Sequence, residues 1–279
     1  MFFRRKEKEE PRKLIEFSCS PYDEAYPHPV PAHKVVPKWW QNLSRHVDPP
    51  QPNMSHGLGL VDGADIPPVE SVKACVPVLD TLRTGYIIPL WTELIIGYDD
   101  PSGGDSGEPL IAWNYQGLGP RDLSKPANLQ AIERRHLDPK SFETAKGMPI
   151  YNRALEIQLP YMWTFNSPWT IKTPPGYSCL FTKPLNSDLP FDFINGIVNT
   201  DKYHLSVNWN FMMNRRFRGT LRVGTPMMQV IPFKRDEWES EVRSWNEEDI
   251  KQANISLTGL DMYFEGGYQR MAGCPINHS

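Results

Sequence analysis

Proline sets the limits on this fold. The chain has 279 residues, and 28 of them are Pro, roughly twice the ordinary share of about 5%. Each Pro removes a backbone donor and fixes φ, so it breaks helices and is kept out of central strand positions. A chain punctuated this often is built from short elements joined by long ordered loops. From 151 to 233 the pieces between the breaks are RALEIQLP, TFNSPWTIKTP, GYSCLFTKP, FINGIVNTD, YHLSVNWNFMM, FRGTLRVG and PMMQVIPF. They are rich in aromatic and β-branched residues and recur about every 10–12 residues, the pattern of a sandwich, jelly roll or small barrel and not of βαβ units.

The strand signals begin earlier, near residue 71, in SVKACVPVL and GYIIPLWTELIIGY, with LIAWNYQ answering across DDPSGGDSGEP. Four regions follow from this reading. Residues 1–13 form a charged arm, with Phe2 and Phe3 as apolar anchors. Residues 14–70 are a Pro-rich region packed on the core, with a strand at LIEFSC and a helical turn at PKWWQNLSRHV. Residues 71–235 are the β core. Residues 236–279 carry a helix and a tail. Two helices are expected by periodicity: KPANLQAIERRHL, and RDEWESEVRSWNEEDIKQAN with Trp238, Val242 and Trp245 as an apolar stripe on an acidic surface. Trp238 and Trp245 are therefore candidate interface residues, as are Phe2 and Phe3.

Composition excludes several classes. The net charge of −3 gives no general attraction to nucleic acid or an anionic membrane. No apolar run reaches the roughly 20 residues of a transmembrane helix, and MFFRRKEKEEPRK lacks the apolar stretch of a secretory signal. Cys19, Cys75, Cys179 and Cys274 are spread far apart and form no CxxC, so they read as reduced thiols.

Searches for catalytic chemistry return little. There is no Gly-x-Ser-x-Gly elbow, no P-loop and no complete Gly-x-Gly-x-x-Gly. A facial triad needs two His and a carboxylate, and the His-x-Asp match His46-Val-Asp48 is set against Pro49-Pro50. His204 sits on the expected YHLSVNW strand without partners, so no metal or cofactor is expected. Tyr177 follows the rigid Thr173-Pro174-Pro175-Gly176 turn, which would align two core strands as a hairpin or present the tyrosine at a surface. Arg215, Arg216, Arg218 and Arg222 follow the aromatics Trp209 and Phe211. Arg216, Arg218 and Arg222 would share one face of an extended strand, as an ion-paired surface or as a single-strand nucleic-acid contact. Tyr177, His204, Trp209 and Arg222 are the candidate ligand-binding residues.

VKACVPVLDTLRTGYIIPLWTELII, PWTIKTPPGYSCLFTKPLN, FINGIVNTDKYH and GTPMMQVIPFKRDEW together resemble a family of uncharacterised proteins of tailed bacteriophages, cyanophages among them, over residues 72–238. The resemblance implies a phage or bacterial cytoplasmic origin and a β-sandwich of the jelly-roll or cupin-like (double-stranded β-helix) kind with a few peripheral helices. No catalytic role carries over from it. The expectation is a non-enzymatic, phage-encoded virion or accessory protein, located in host cytoplasm or virion. It would work by protein–protein contact or self-association, without membrane or nucleic-acid partners. The alternative is a cupin-like small-molecule binder or metal-dependent enzyme with a pocket inside the sandwich.

Overall fold

The computed structural model describes residues 14–47, 69–99, 108–113, 132–134, 158–214 and 217–258. In chain order the strands are β1 (Glu16–Ser18), β2 (Val30–Pro31), β3 (His46–Val47), β4 (Val69–Glu70), β5 (Tyr86–Pro89), β6 (Leu94–Asp99), β7 (Glu108–Trp113) and β8 (Ile132–Arg134), then β9 (Gln158–Phe165), β10 (Thr170–Lys172), β11 (Tyr177–Thr182), β12 (Phe191–Phe193), β13 (Gly196–Val198), β14 (Trp209–Asn214), β15 (Gly219–Leu221) and β16 (Pro226–Lys234). The α-helices are α1 (Lys38–Asn42), α2 (Val76–Arg83) and α3 (Glu247–Thr258). The chain divides into two units, residues 1–35 with 84–235, and residues 36–83 with 236–279.

The first unit is mainly β, and every strand pairing in it is antiparallel. One sheet runs β13-β11-β16-β5-β2 and another β12-β14-β9-β8. Seven of these strands (β5, β9, β11, β12, β13, β14 and β16) alternate between the two sheets along the chain, and late strands insert between early ones. β16 lies between β5 and β11, and β14 lies between β9 and β12. This Greek-key winding is that of a jelly-roll sandwich.

The two sheets share one hydrophobic core. Ile88, Cys179, Phe181, Met228 and Val230 come from the first; Trp163, Phe165, Phe191, Phe193 and Phe211 come from the second. Phe181 of β11 stacks on Trp209 of β14, with ring centroids 5.1 Å apart and planes 13° from parallel. Phe191, Phe193 and Phe211 meet edge-on or tilted at 5.5–5.8 Å. Burying each such ring stabilises the fold by about 1.5–3 kcal/mol, so the interior between the sheets is an apolar, aromatic fill.

The prolines are placed where they do least harm. Pro232 lies in β16 opposite Cys179, beyond Val230↔Tyr86, where the pairing with β5 stops. Only one flank of the strand is paired there. Pro160 lies in β9 where the register with β14 shifts between Met212 and Asn214. Gly85 carries φ +69, and a Cβ there would lie 2.2 Å from the Val230 carbonyl oxygen. Its own carbonyl accepts from Ala32 N–H at 3.0 Å, so β2 and β16 both close on a position that only glycine fits.

In the second unit, Pro37 precedes α1 as expected, and Lys73 Nζ donates to the carbonyls of Gln41 (3.1 Å) and Leu43 (2.8 Å) at the helix end. A cation suits those unpaired carbonyls. β3 and β4 pair through His46↔Glu70 and Val47↔Val69.

Several expectations are corrected. SVKACVPVL is a 3₁₀ turn, Val72–Ala74, followed by α2. Ser71 Oγ accepts from Lys73 N–H at 3.2 Å, and Pro77 falls in the first helical turn, where its missing donor costs nothing. Within the expected helix KPANLQAIERRHL, residues 132–134 are β8, paired with Phe165, Thr164 and Trp163 of β9; ladder bonds from a distant strand outrank a local helical pattern. The rest of that segment lies outside the described residues, as do residues 1–13 with Phe2 and Phe3, Asp48, and the tail after 258. The acidic helix starts at Glu247, not near Trp238. Asn246 Oδ1 accepts from Asp249 N–H (2.9 Å), and Asp249 Oδ2 accepts from Asn246 N–H (2.8 Å). This reciprocal capping box fixes the first turn of α3, leaving Trp238, Val242 and Trp245 in non-helical chain ahead of it.

Candidate functional site

The ligand-binding candidates do not form one constellation. Tyr177, half-buried, opens β11 opposite Lys234, the last residue of β16. Arg222 precedes the first residue of β16, Pro226. Eight residue steps of extended strand span roughly 26 Å, so Tyr177 and Arg222 lie at opposite ends of the sandwich. His204 is exposed and is not on a strand. The N–H groups of Lys202 and Tyr203 both donate to Asn199 O at 2.9 Å, closing a turn that delays the strand until Trp209. Trp209 is a packed residue. Its indole stacks on Phe181, its Nε1 donates to Ile194 O, and a Cβ at Gly196 would lie 2.8 Å from the ring.

The Tyr177 end is organised by an ion pair that sequence patterns did not single out. The turn from Thr173 closes with Tyr177 N–H donating to Pro174 O (3.2 Å), with Gly176 at φ +85. It is not a hairpin turn, because β10 pairs with β1 while β11 pairs with β13 and β16; the turn carries the chain between sheets. Gly176 N–H donates to Asp201 Oδ2 (2.9 Å) and Arg235 N–H donates to Gly176 O (2.8 Å). The Arg235 guanidinium then reaches Asp201 Oδ1 (2.9 Å), Asp201 Oδ2 (2.5 Å), Tyr177 O (2.8 Å) and Ser178 Oγ (2.8 Å). The hydrogen bonds from Arg235 and from Gly176 N–H hold the Asp201 carboxyl well below the usual aspartate range, and Asp201 in turn raises Arg235. Asp201 is thus spent on structure: one carboxylate ties the β10–β11 turn and the β13–β14 turn to the end of β16. A readable signal existed in Arg235 directly after a strand and in Asp201 within an Asn-Thr-Asp turn, but nothing in sequence pairs them.

At the other end, β15 is confined to Gly219–Leu221. Thr225 N–H and Oγ1 both donate to Arg222 O (3.0 and 2.7 Å), turning the chain there. Arg222 therefore sits in a turn, and the expected single strand face through Arg216, Arg218 and Arg222 does not form. Arg215 and Arg216 lie outside the described residues. Thr220 pairs with Ile95 of β6, and both are exposed, Ile95 by 51%. Leu94, Ile96 and Leu221 point the other way into the core. Exposed Arg218 and Arg222 flank β15, and exposed Glu93 lies two residues before Ile95.

In the second unit, Trp238 is 89% exposed, Val242 100% and Trp245 69%. Around them stand Asp236, Glu237, Glu239, Glu241, Glu247, Glu248 and Asp249, against one cation, Arg243. Arg243 is held by the Asp249 carboxylate, with Nη2 to Oδ1 at 3.0 Å, and this raises Arg243 and lowers Asp249.

Among the described residues no group of three or more His, Cys, Asp and Glu is placed to hold a metal ion, and no helix is long and apolar enough to cross a membrane. Burial pushes the Cys179 thiol up, partly offset by a hydrogen bond from Thr200, so it is not an activated nucleophile.

The fold defines the class: a mainly β, antiparallel jelly-roll sandwich accompanied by a small helical unit. No family model and no curated protein matches the sequence. Among solved structures, two of the dUTPase from phage phi11 of S. aureus, one of them a mutant form, overlay with 16% identity and a TM-score of 0.22, covering 31% of this chain and 72% of theirs.

Proposed function

We propose that this chain is a non-enzymatic protein that works by binding other proteins, as a phage-encoded virion or accessory component. The observation that carries the reading is the segment 236–246, where two Trp and a Val stand in water on an acidic background. Exposed Trp is expensive to leave uncovered and is among the residues that dominate protein interfaces. Support also comes from the interior of the sandwich. Its facing sheets meet through Phe181, Trp209, Phe191 and Phe211, where a cupin-like enzyme would need convergent polar groups around a cavity. The phage assignment rests on the sequence resemblance over residues 72–238. The acid-rich Trp segment and the net charge oppose nucleic-acid and anionic-membrane partners.

A photocrosslinking amino acid in place of Trp245, in bacteria producing the chain, tests this. Protein adducts should form from position 245 and not from the buried position Ile171. If position 245 yields no more adduct than Ile171, the reading fails.

A further inference from the structure

We infer that residues 237–246 are a recognition helix that forms on its partner, and that the partner is a different protein offering an apolar groove edged with Lys and Arg. The inference rests on the protein-binding reading above and names the shape and charge of what is bound. Trp238, Val242 and Trp245 are spaced i, i+4, i+7, yet the chain beneath them is non-helical and their side chains stand in water. At about 3.6 residues per turn, a helix through them would gather all three within about 60° of arc. Glu239 would then flank one side of that stripe, and Glu237 and Glu241 the other. An extended strand would instead put Trp245 on the face opposite Trp238 and Val242. Of the two, only the helix makes one contact surface of the three.

The local sequence permits that helix. In a chain with 28 Pro, the stretch 233–258 has no Pro and no Gly. What starts α3 at Glu247 is side-chain chemistry at the surface: the Asn246–Asp249 box, and Arg243, whose Nη2 donates to Asp249 Oδ1 at 3.0 Å. Both are exchangeable. In the extended helix Arg243 has Glu239 four residues before it, the favourable order for an i, i+4 pair. Burying two indoles and a valine in a groove offsets the lost cap. The acidic flanks select cations at the groove's edge, where guanidiniums also stack on indole faces. A second copy of this chain, at net −3, brings no excess of cations.

The photocrosslinking amino acid, placed singly at 238, 240, 242, 244 and 245 of the full chain in the producing bacteria, tests this. A helix seated in a groove should give severalfold more adduct from 238, 242 and 245 than from 240 and 244. Ser244→Pro should cut the adducts from 238 and 245 at least about tenfold, because Pro breaks a helix interior, while the unfolding midpoint of the free chain stays unchanged. Ser244→Ala should keep them. Glu237→Lys with Glu241→Lys should cut them severalfold by opposing the basic rim. Adducts that alternate with a period of two, or that survive Ser244→Pro, overturn the helix. Adducts that survive the Glu changes, or that join two copies of this chain, overturn the partner. In each of those cases adducts above the level from Ile171 leave the protein-binding reading standing. Their absence at every position takes both away.

Discussion

The sandwich and the segment ahead of α3 use the same residue types in opposite ways. In the sandwich, Trp163, Trp169, Phe181 and Phe211 are buried. Ahead of α3, Trp238 and Trp245 are among the most exposed large side chains described. The first set lies on strands or turns whose backbone is held by ladder partners. The second lies on chain that no described strand or helix claims, because the capping box at Asn246 starts the helix after it. Aromatic content alone therefore says nothing about purpose. The difference is whether the backbone beneath the ring is fixed.

Breaking the buried side should cost most. Phe181→Ala removes a stacked ring from the centre of the core and should lower stability by about 3–5 kcal/mol, read from denaturant midpoints. Gly85→Ala forces a Cβ against the Val230 carbonyl at a left-handed φ. It should cost upwards of about 2 kcal/mol, and a neutral result would mean that β5 and β16 are not joined as described.

The Asp201–Arg235 pair sharpens the comparison through pH. The folded-state pKa of Asp201 is depressed, so its contribution is present above the unfolded pKa and is lost as pH falls below the ordinary aspartate range. Asp201→Asn should destabilise the chain at neutral pH, yet narrow its gap from wild type in acid. Parallel stability curves from pH 7 to pH 3 would remove the pair from the account.

On the exposed side the effects shrink. Asn246→Ala deletes one half of the capping box and should cost α3 about 1 kcal/mol, seen as lost helical signal. Trp245→Ala should leave stability within about 0.5 kcal/mol of wild type while reducing crosslinking or association. A loss as large as that of Phe181→Ala would show Trp245 to be a core residue.

The strand-dense stretch was legible because its residues are locally consistent. YSCLFT and PMMQVIPFK became β11 and β16, and the β-branched and aromatic content announced them. Elements whose state is decided elsewhere were not legible. Ile132–Arg134 looked helical and is β8 because β9 offers a ladder. SVKACVPVL looked extended and is helical because Ser71 and Pro77 act at particular positions in a turn. The helix expected from Trp238 had the right period, but the Asn246–Asp249 pair eight residues on sets its start. Of the ligand-binding candidates, Trp209 packs on Phe181 and Tyr177 opens β11, and their neighbours Phe181, Gly196 and Arg235 come from distant sequence. Ion pairs such as Asp201–Arg235 leave no periodicity to read.

The position of β16 sets a schedule for synthesis. Among the described strands of the sandwich it is the last to leave the ribosome, yet it lies between β5 and β11. Pro89 of β5 finds its partner Pro226 only after 137 further residues (226 − 89). At about 5–20 residues per second that is roughly 7–27 s. Through that interval β5 waits with an open edge and an uncovered apolar face, and β11 joins the wait once Thr182 has been made. A nascent chain of this design depends on something else to shield its early strands, or on β9, β12 and β14 gathering first, until its centre arrives.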